Sequence, residues 1–130
     1  RMDILHAAGA HHASLIVVAA SDRDAIVRIA EQARHEFPMV PILARATDRL
    51  HARELAQHGV AFQIRETFES ALVMGREALE RLGEAPETIE HVMADIRRRD
   101  TERFALESVG GETAGKELLH GNLGRPATDP

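Results

Sequence analysis

The sequence predicts an α/β fold: three parallel strands alternating with helices, the second half of a doubly wound sheet, followed by two further helices. Three observations carry this prediction. Apolar runs of strand length recur at 14–19, 42–46 and 60–64, unbroken by the polar alternation of a sheet with one wet face. The stretches between them have helical spacing and are about ten to fourteen residues long, the pattern of strand–helix–strand units. A longer amphipathic stretch follows the third strand with no loop between them.

The elements can be justified in order. Residues 2–8 form a short helix closed by Gly9, and the first strand is 14–19. Ser21 caps the next helix with Asp24 three positions on, close to a capping box. Ile26, Ile29, Ala30, Ala33 and Phe37 line its inner face. Pro38 and Pro41 bracket the turn into the second strand, 42–46. A helix over 48–58 ends at Gly59, and the third strand is 60–64. Thr67 is the expected N-cap of the helix 67–82. Glu69 lies in its first turn, where the dipole favours an anion, and Gly83 stops it. Phe68, Leu72, Gly75, Leu79 and Leu82 fall on one stripe of that helix. Gly75 costs about 1 kcal/mol relative to alanine in a helix interior, so close approach of another backbone is expected there. Pro86 opens a last helix reaching to about Phe104, with Ile89, Val92, Met93 and Ile96 on its buried face. The segments are therefore 1–66, the half-sheet; 67–83, the long helix; 84–109, the last helix; and 110–130, a flexible tail rich in Gly, Thr, Asn and Pro. Three strands leave apolar edges unpaired, and the chain opens inside a helix with no glycine-rich phosphate loop. The first half of the sheet, with any G-x-G-x-x-G, is expected upstream.

Composition narrows the function. The 130 residues suit one domain, and 44% hydrophobic with 28% charged residues is globular composition. A net charge of −5, no Tyr or Trp and only four Phe argue against a nucleic-acid partner. With no cysteine, thiolate metal sites and thiol nucleophiles are excluded. The longest apolar stretch, 13–20, is far below the ~20 residues of a membrane span, so the segment reads as cytosolic. The eight histidines include no H-E-x-x-H and read as solvated, with His11 and His12 in a loop and no metal site expected. Ser14, Ser21, Ser70 and Ser108 lack nucleophile contexts, and no catalytic residue is expected.

The chemistry that remains is charged. Arg45 and Arg65 fall at predicted strand carboxyl ends, where open α/β sheets bind ligands, and Glu66 and Glu69 follow at once. A guanidinium fork takes a carboxylate or phosphate while a carboxylate holds an ammonium, a pairing that suits a small zwitterionic anion such as a peptide. The competing reading is an internal surface bridge from Arg65 to Glu66 or Glu69. Arg97, Arg98 and Arg99 form a basic run expected in a solvated C-terminal helical turn.

Four segments carry a family resemblance: M-D-I-L-H-A-A-G-A at 2–10, L-I-V-V-A-A-S-D-R-D at 15–24, P-I-L-A-R-A at 41–46 and R-E-T-F-E-S-A-L-V-M-G-R-E-A-L-E-R-L-G at 65–83. Over residues 1–107 the chain resembles the regulatory (RCK, Rossmann-like) domain of bacterial glutathione-regulated potassium-efflux antiporters of the Kef type. The resemblance implies a cytosolic domain of an inner-membrane potassium/proton antiporter, with an upstream membrane domain as partner and a homodimer through 67–82. It implies a nucleotide, AMP or NAD(H), in the upstream half and glutathione as regulatory ligand near the dimer interface. Arg65 and Glu69 match the family's glutathione-contacting arginine and glutamate. Asp100 stands where the family has an asparagine, an anion in place of an amide beside an anionic tripeptide. The alternatives are a gating subunit of a potassium channel or Trk-type uptake system controlled by nucleotide, or a fragment of an NAD(P)-dependent dehydrogenase.

Overall fold

A computed structural model describes residues 1–110 as two compact units, one of residues 1–71 and a second beginning at Leu72. The first holds α1 (Met2–Ala7), a 3-10 turn (Ala10–His12), β1 (Ile16–Val18), α2 (Arg23–Glu36), β2 (Ile42–Ala46), α3 (Arg49–Gln57) and β3 (Phe62–Arg65). The strands form one sheet in the order β1-β2-β3, parallel throughout, as the sequence predicts.

Register decides which side chains meet. Ile16 pairs with Ile42, Val18 with Ala44, Ala44 with Gln63 and Ala46 with Arg65. Helix α2 lies on β1 and β2, α3 on β2 and β3, and the two helices touch each other, so both cover the same face. On that face Val18, Ile42, Ala44 and Ala46 are buried with Ile26, Ala30 and Ala33 of α2 and Ala52 and Leu55 of α3. The alternation of strand side chains puts Val17, Leu43, Arg45, Phe62 and Ile64 on the opposite face. There Val17 is 64% and Phe62 55% exposed. Among the described residues no fourth strand pairs with β1 or β3.

Local chemistry moved several boundaries from their predicted places. The cap of α2 is Asp22, not Ser21: its Oδ1 accepts the Ala25 N–H at 2.8 Å. At the end of α3, Gly59 adopts φ 81° while its N–H donates to the Ala56 carbonyl and Val60 N–H donates to that of Leu55. This Schellman closure keeps Val60, itself buried, in the helix-terminal turn. The strand consequently begins at Phe62 and not at 60.

The long helix α4 (Glu66–Arg81) begins in the first unit and runs into the second, which continues with α5 (Pro86–Gly110). The predicted N-cap Thr67 is already inside α4, because the chain turns from strand to helix without a gap. A second Schellman closure at Gly83 (φ 81°), with Glu84 N–H donating to the Leu79 carbonyl, ends α4. Phe68, Leu72, Gly75 and Leu79 are half-buried, whereas Leu82, past the helix end, is 78% exposed. A Cβ built on Gly75 would meet only the tip of Met93, at 3.8 Å. That contact is a side chain at ordinary van der Waals distance, so the expectation of a close backbone is not met within this chain. Helix α5 passes Phe104 and includes Gly110; the rest of the expected tail, 111–130, lies outside the described residues. The α4–α5 hairpin is tied by Arg76 and Glu90. Among the described residues, no helix is long and apolar enough to cross a membrane.

Candidate ligand site at the strand ends

Arg65 is the last residue of β3, and Arg45 the penultimate residue of β2. They lie on neighbouring strands, yet Arg45 is registered with Ile64 and Arg65 with Ala46. Alternation therefore sends them to opposite faces of the sheet. They do not form one two-pronged clamp. Arg45 Nε meets Glu66 Oε1 at 2.6 Å, both side chains being more than a third exposed. This is an internal bridge, and such exposed pairs contribute little.

Arg65 is placed differently. Its guanidinium carbon sits 4.4 Å from the centroid of the Phe68 ring. A cation over an aromatic face is worth about 0.5–1 kcal/mol at an exposed site, and the stack fixes the plane of the fork. Glu69 follows one residue later in the first turn of α4. A planar cation and a carboxylate are thus held on one strand-to-helix junction. Phe68 escaped the sequence reading as a site residue; its spacing of three from Arg65 across the junction was the available signal. Asp100 lies on α5, in the second unit. The basic run lies in the middle of α5, not in a terminal turn. Arg98 pairs with Asp95 at 2.7 Å and Glu102 at 2.9 Å, and Arg99 also pairs with Asp95.

The turn from β2 to α3 abuts this junction. Thr67 Oγ1 donates to the Thr47 carbonyl at 3.2 Å. Thr47 N–H in turn donates to His51 Nδ1 at 3.0 Å, and Asp48 Oδ1 caps α3 by accepting His51 N–H at 2.8 Å. Arg23 reaches across from α2 to Asp48 Oδ2 at 2.6 Å. The cap bond from His51 N–H, followed by the Arg23 pair, holds the Asp48 carboxyl below its usual range. His51 is fully buried, against the reading of the histidines as solvated. Burial, then the Arg23 charge, pushes its pKa down, opposed by Asp48 and Glu54. Among the described residues no group of three or more His, Asp or Glu could hold a metal.

Comparison with known proteins gives this geometry a context. The TrkA-N domain family matches residues 1–66. A glutathione-regulated potassium-efflux system protein of Haemophilus influenzae is 35% identical over 121 residues, 93% of this chain and 18% of that protein. The KefC protein of Salmonella paratyphi B is 41% identical over 116 residues, 86% of this chain and 18% of its own. The chain thus spans about a fifth of the length of these relatives. The solved Kef CTD of Shewanella denitrificans in its AMP-bound form superposes with a TM-score of 0.76 at 38% identity, over 81% of this chain and 66% of that one.

Proposed function

The chain belongs to the TrkA-N domain family, and from that premise we propose that it is the ligand-sensing, non-catalytic regulatory part of a glutathione-gated potassium/proton antiporter. One observation carries this reading: the likeness to the potassium-efflux proteins extends over 86–93% of the chain. It runs well past the family match at 1–66 and takes in α4 and α5, where a generic nucleotide-binding half-sheet would have no reason to be alike.

Arg65 and Glu69 are the residues that engage the ligand. The guanidinium, oriented by Phe68, takes a carboxylate of a small peptide such as glutathione, and Glu69 takes its ammonium. These two groups fit a zwitterion. Arg45, paired with Glu66, shapes the junction and does not bind the ligand directly. AMP or another nucleotide belongs to the upstream half of the sheet, and the described glycines of positive φ all sit at helix ends, not in a phosphate loop. Val73 and Met74, 70% and 73% exposed on α4, supply an apolar surface for pairing with a second copy. The ligand acts by favouring one arrangement of the paired subunits, and a cytosolic position below an inner-membrane antiporter domain follows from the same reading.

The test is a titration of glutathione into the chain and its Arg65→Ala variant by calorimetry. Losing a charge-assisted bond of about 1.5–3 kcal/mol weakens binding by roughly ten- to a hundredfold. Equal affinity of the two proteins would remove Arg65 from the site.

A further inference from the structure

The β2–α3 turn is built around a histidine that takes part in no ligand contact assigned above. His51 has no solvent-accessible surface, and its Nδ1 accepts the Thr47 N–H. An imidazole nitrogen that accepts is unprotonated, so the neutral ring carries its hydrogen on Nε2. That Nε2 is buried without a hydrogen-bond partner. The Arg23 backbone favours a proton on the ring, so the bond that protonation would break is the one at Nδ1.

Thr47 is the hub of the turn. Its N–H goes to His51, its hydroxyl lies 3.4 Å from Arg23 Nη1 and 3.3 Å from His51 Nδ1, and its carbonyl accepts from Thr67 in the first turn of α4. A proton placed on Nδ1 would turn the only acceptor into a donor facing the Thr47 N–H. The backbone bond would be lost, and the nearest acceptor for the new N–H is the Thr47 hydroxyl. The turn would then have to shift, orphaning the Thr47 N–H and disturbing the carbonyl that holds Thr67. The charged surroundings reinforce this. Arg23 from α2 opposes a second cation, Asp48 and Glu54 of α3 favour it, and register places Arg65 of β3 on this same face of the sheet, beyond uncharged Ala46 of β2.

We propose that His51 is a proton-operated latch: neutral, it fastens the β2–α3 turn to the start of α4; protonated, it lets both go. The effect would be to couple mild acidification to the segment bearing Arg65 and Glu69. It rests on the hydrogen-bond chain alone and needs no ligand, so it can fail while the glutathione reading stands, and the reverse.

The test is nuclear magnetic resonance on the whole chain. Ring resonances of His51 are followed from about pH 7.5 to pH 5, together with amide protection of Thr47 and the methyl shift of Thr67, whose hydroxyl makes the bond to the Thr47 carbonyl. The latch predicts protection of the Thr47 amide falling in step with His51 protonation, by up to about tenfold per pH unit for one proton, with the Thr67 methyl shift moving along the same curve. In His51→Gln, whose side-chain carbonyl accepts without titrating, the pH dependence should vanish while protection at neutral pH remains. Protection that ignores the His51 titration would overturn the proposal. So would a pH response that survives unchanged in His51→Gln, and neither depends on how stable the variant is at low pH.

Discussion

The two regions of this molecule are stabilised in different ways. In residues 1–71, a sheet and two helices seal a continuous apolar layer, with Ile26, Ala30, Ala33, Ala46 and Leu55 essentially inaccessible. In the described part from Leu72 onward, Ile89 and Glu107 are the only buried residues, and the second is a carboxylate facing Arg103 at 2.6 Å. Val73, Met74, Leu82 and Leu106 are left in water. The first region has a continuous apolar core on one face of its sheet. The second is held by helix propensity, a Schellman closure, a proline-defined helix start and ion pairs, and leaves apolar surface exposed.

The largest predicted effect tests the first half of that contrast. Leu55→Ala removes a fully buried side chain at the α3–sheet contact and should cost about 2–5 kcal/mol, read by urea denaturation. A loss near zero would mean that the sheet layer is not the stabilising core. Two glycines sharpen the contrast next. Gly59 has φ 81° and a Cβ there would lie 2.9 Å from Arg34 Nε, so Gly59→Ala should destabilise by about 1–2 kcal/mol through left-handed strain. Gly75 has room beside Met93, so Gly75→Ala should stabilise by about 1 kcal/mol. If Gly75→Ala instead impairs self-association in analytical ultracentrifugation, the glycine serves a partner helix and not this chain.

Acid should divide the regions as well. His51 has a folded pKa below its unfolded value near 6.5, so the unfolded chain binds the extra proton first; that stability is present above about pH 6.5 and is lost as pH falls. Asp48, also depressed, adds stability above its unfolded value that disappears as pH drops through the folded one. Glu90 and Asp95 of the second region are held low as well, by Arg76 and Arg98, and like Asp48 respond only in the carboxylate range. Of these groups His51 alone acts at mild acidity, so circular dichroism melts should show the sheet transition moving down there before the helical signal of α5 declines. The smallest effect belongs to the exposed α4 surface: Val73→Ala should change the stability of the monomer by no more than about 0.5 kcal/mol, measured at low protein concentration.

Much of the first region was legible because it obeys simple periodicities. Apolar runs mark the parallel strands, although within the described residues only one face is covered and Val17, Phe62 and Ile64 are exposed on the other, and glycines at 59 and 83 mark helix ends. Boundaries were less so. Ser21 and Asp22 are both good caps, and pattern alone does not choose between adjacent ones. Val60 is apolar like a strand residue, but the Gly59 closure keeps it in the helix-terminal turn. His51 was missed although it shares the inner face of α3 with Ala52 and Leu55, because a histidine there reads as polar until its acceptor is seen. The site was half legible. Arg65 and Glu69 stand together at the junction, but strand alternation turns Arg45 to the other face, and which residues of two strands share a face is unknown until their pairing register is seen.

The account turns on Arg65 acting as the ligand's anchor in a working transporter. The direct measurement is glutathione-gated potassium efflux from cells or vesicles with a full-length antiporter that carries this segment, comparing the parent with Arg65→Ala. The account predicts efflux that no longer responds to glutathione while transport itself persists. Efflux that stays fully under glutathione control in Arg65→Ala would contradict it.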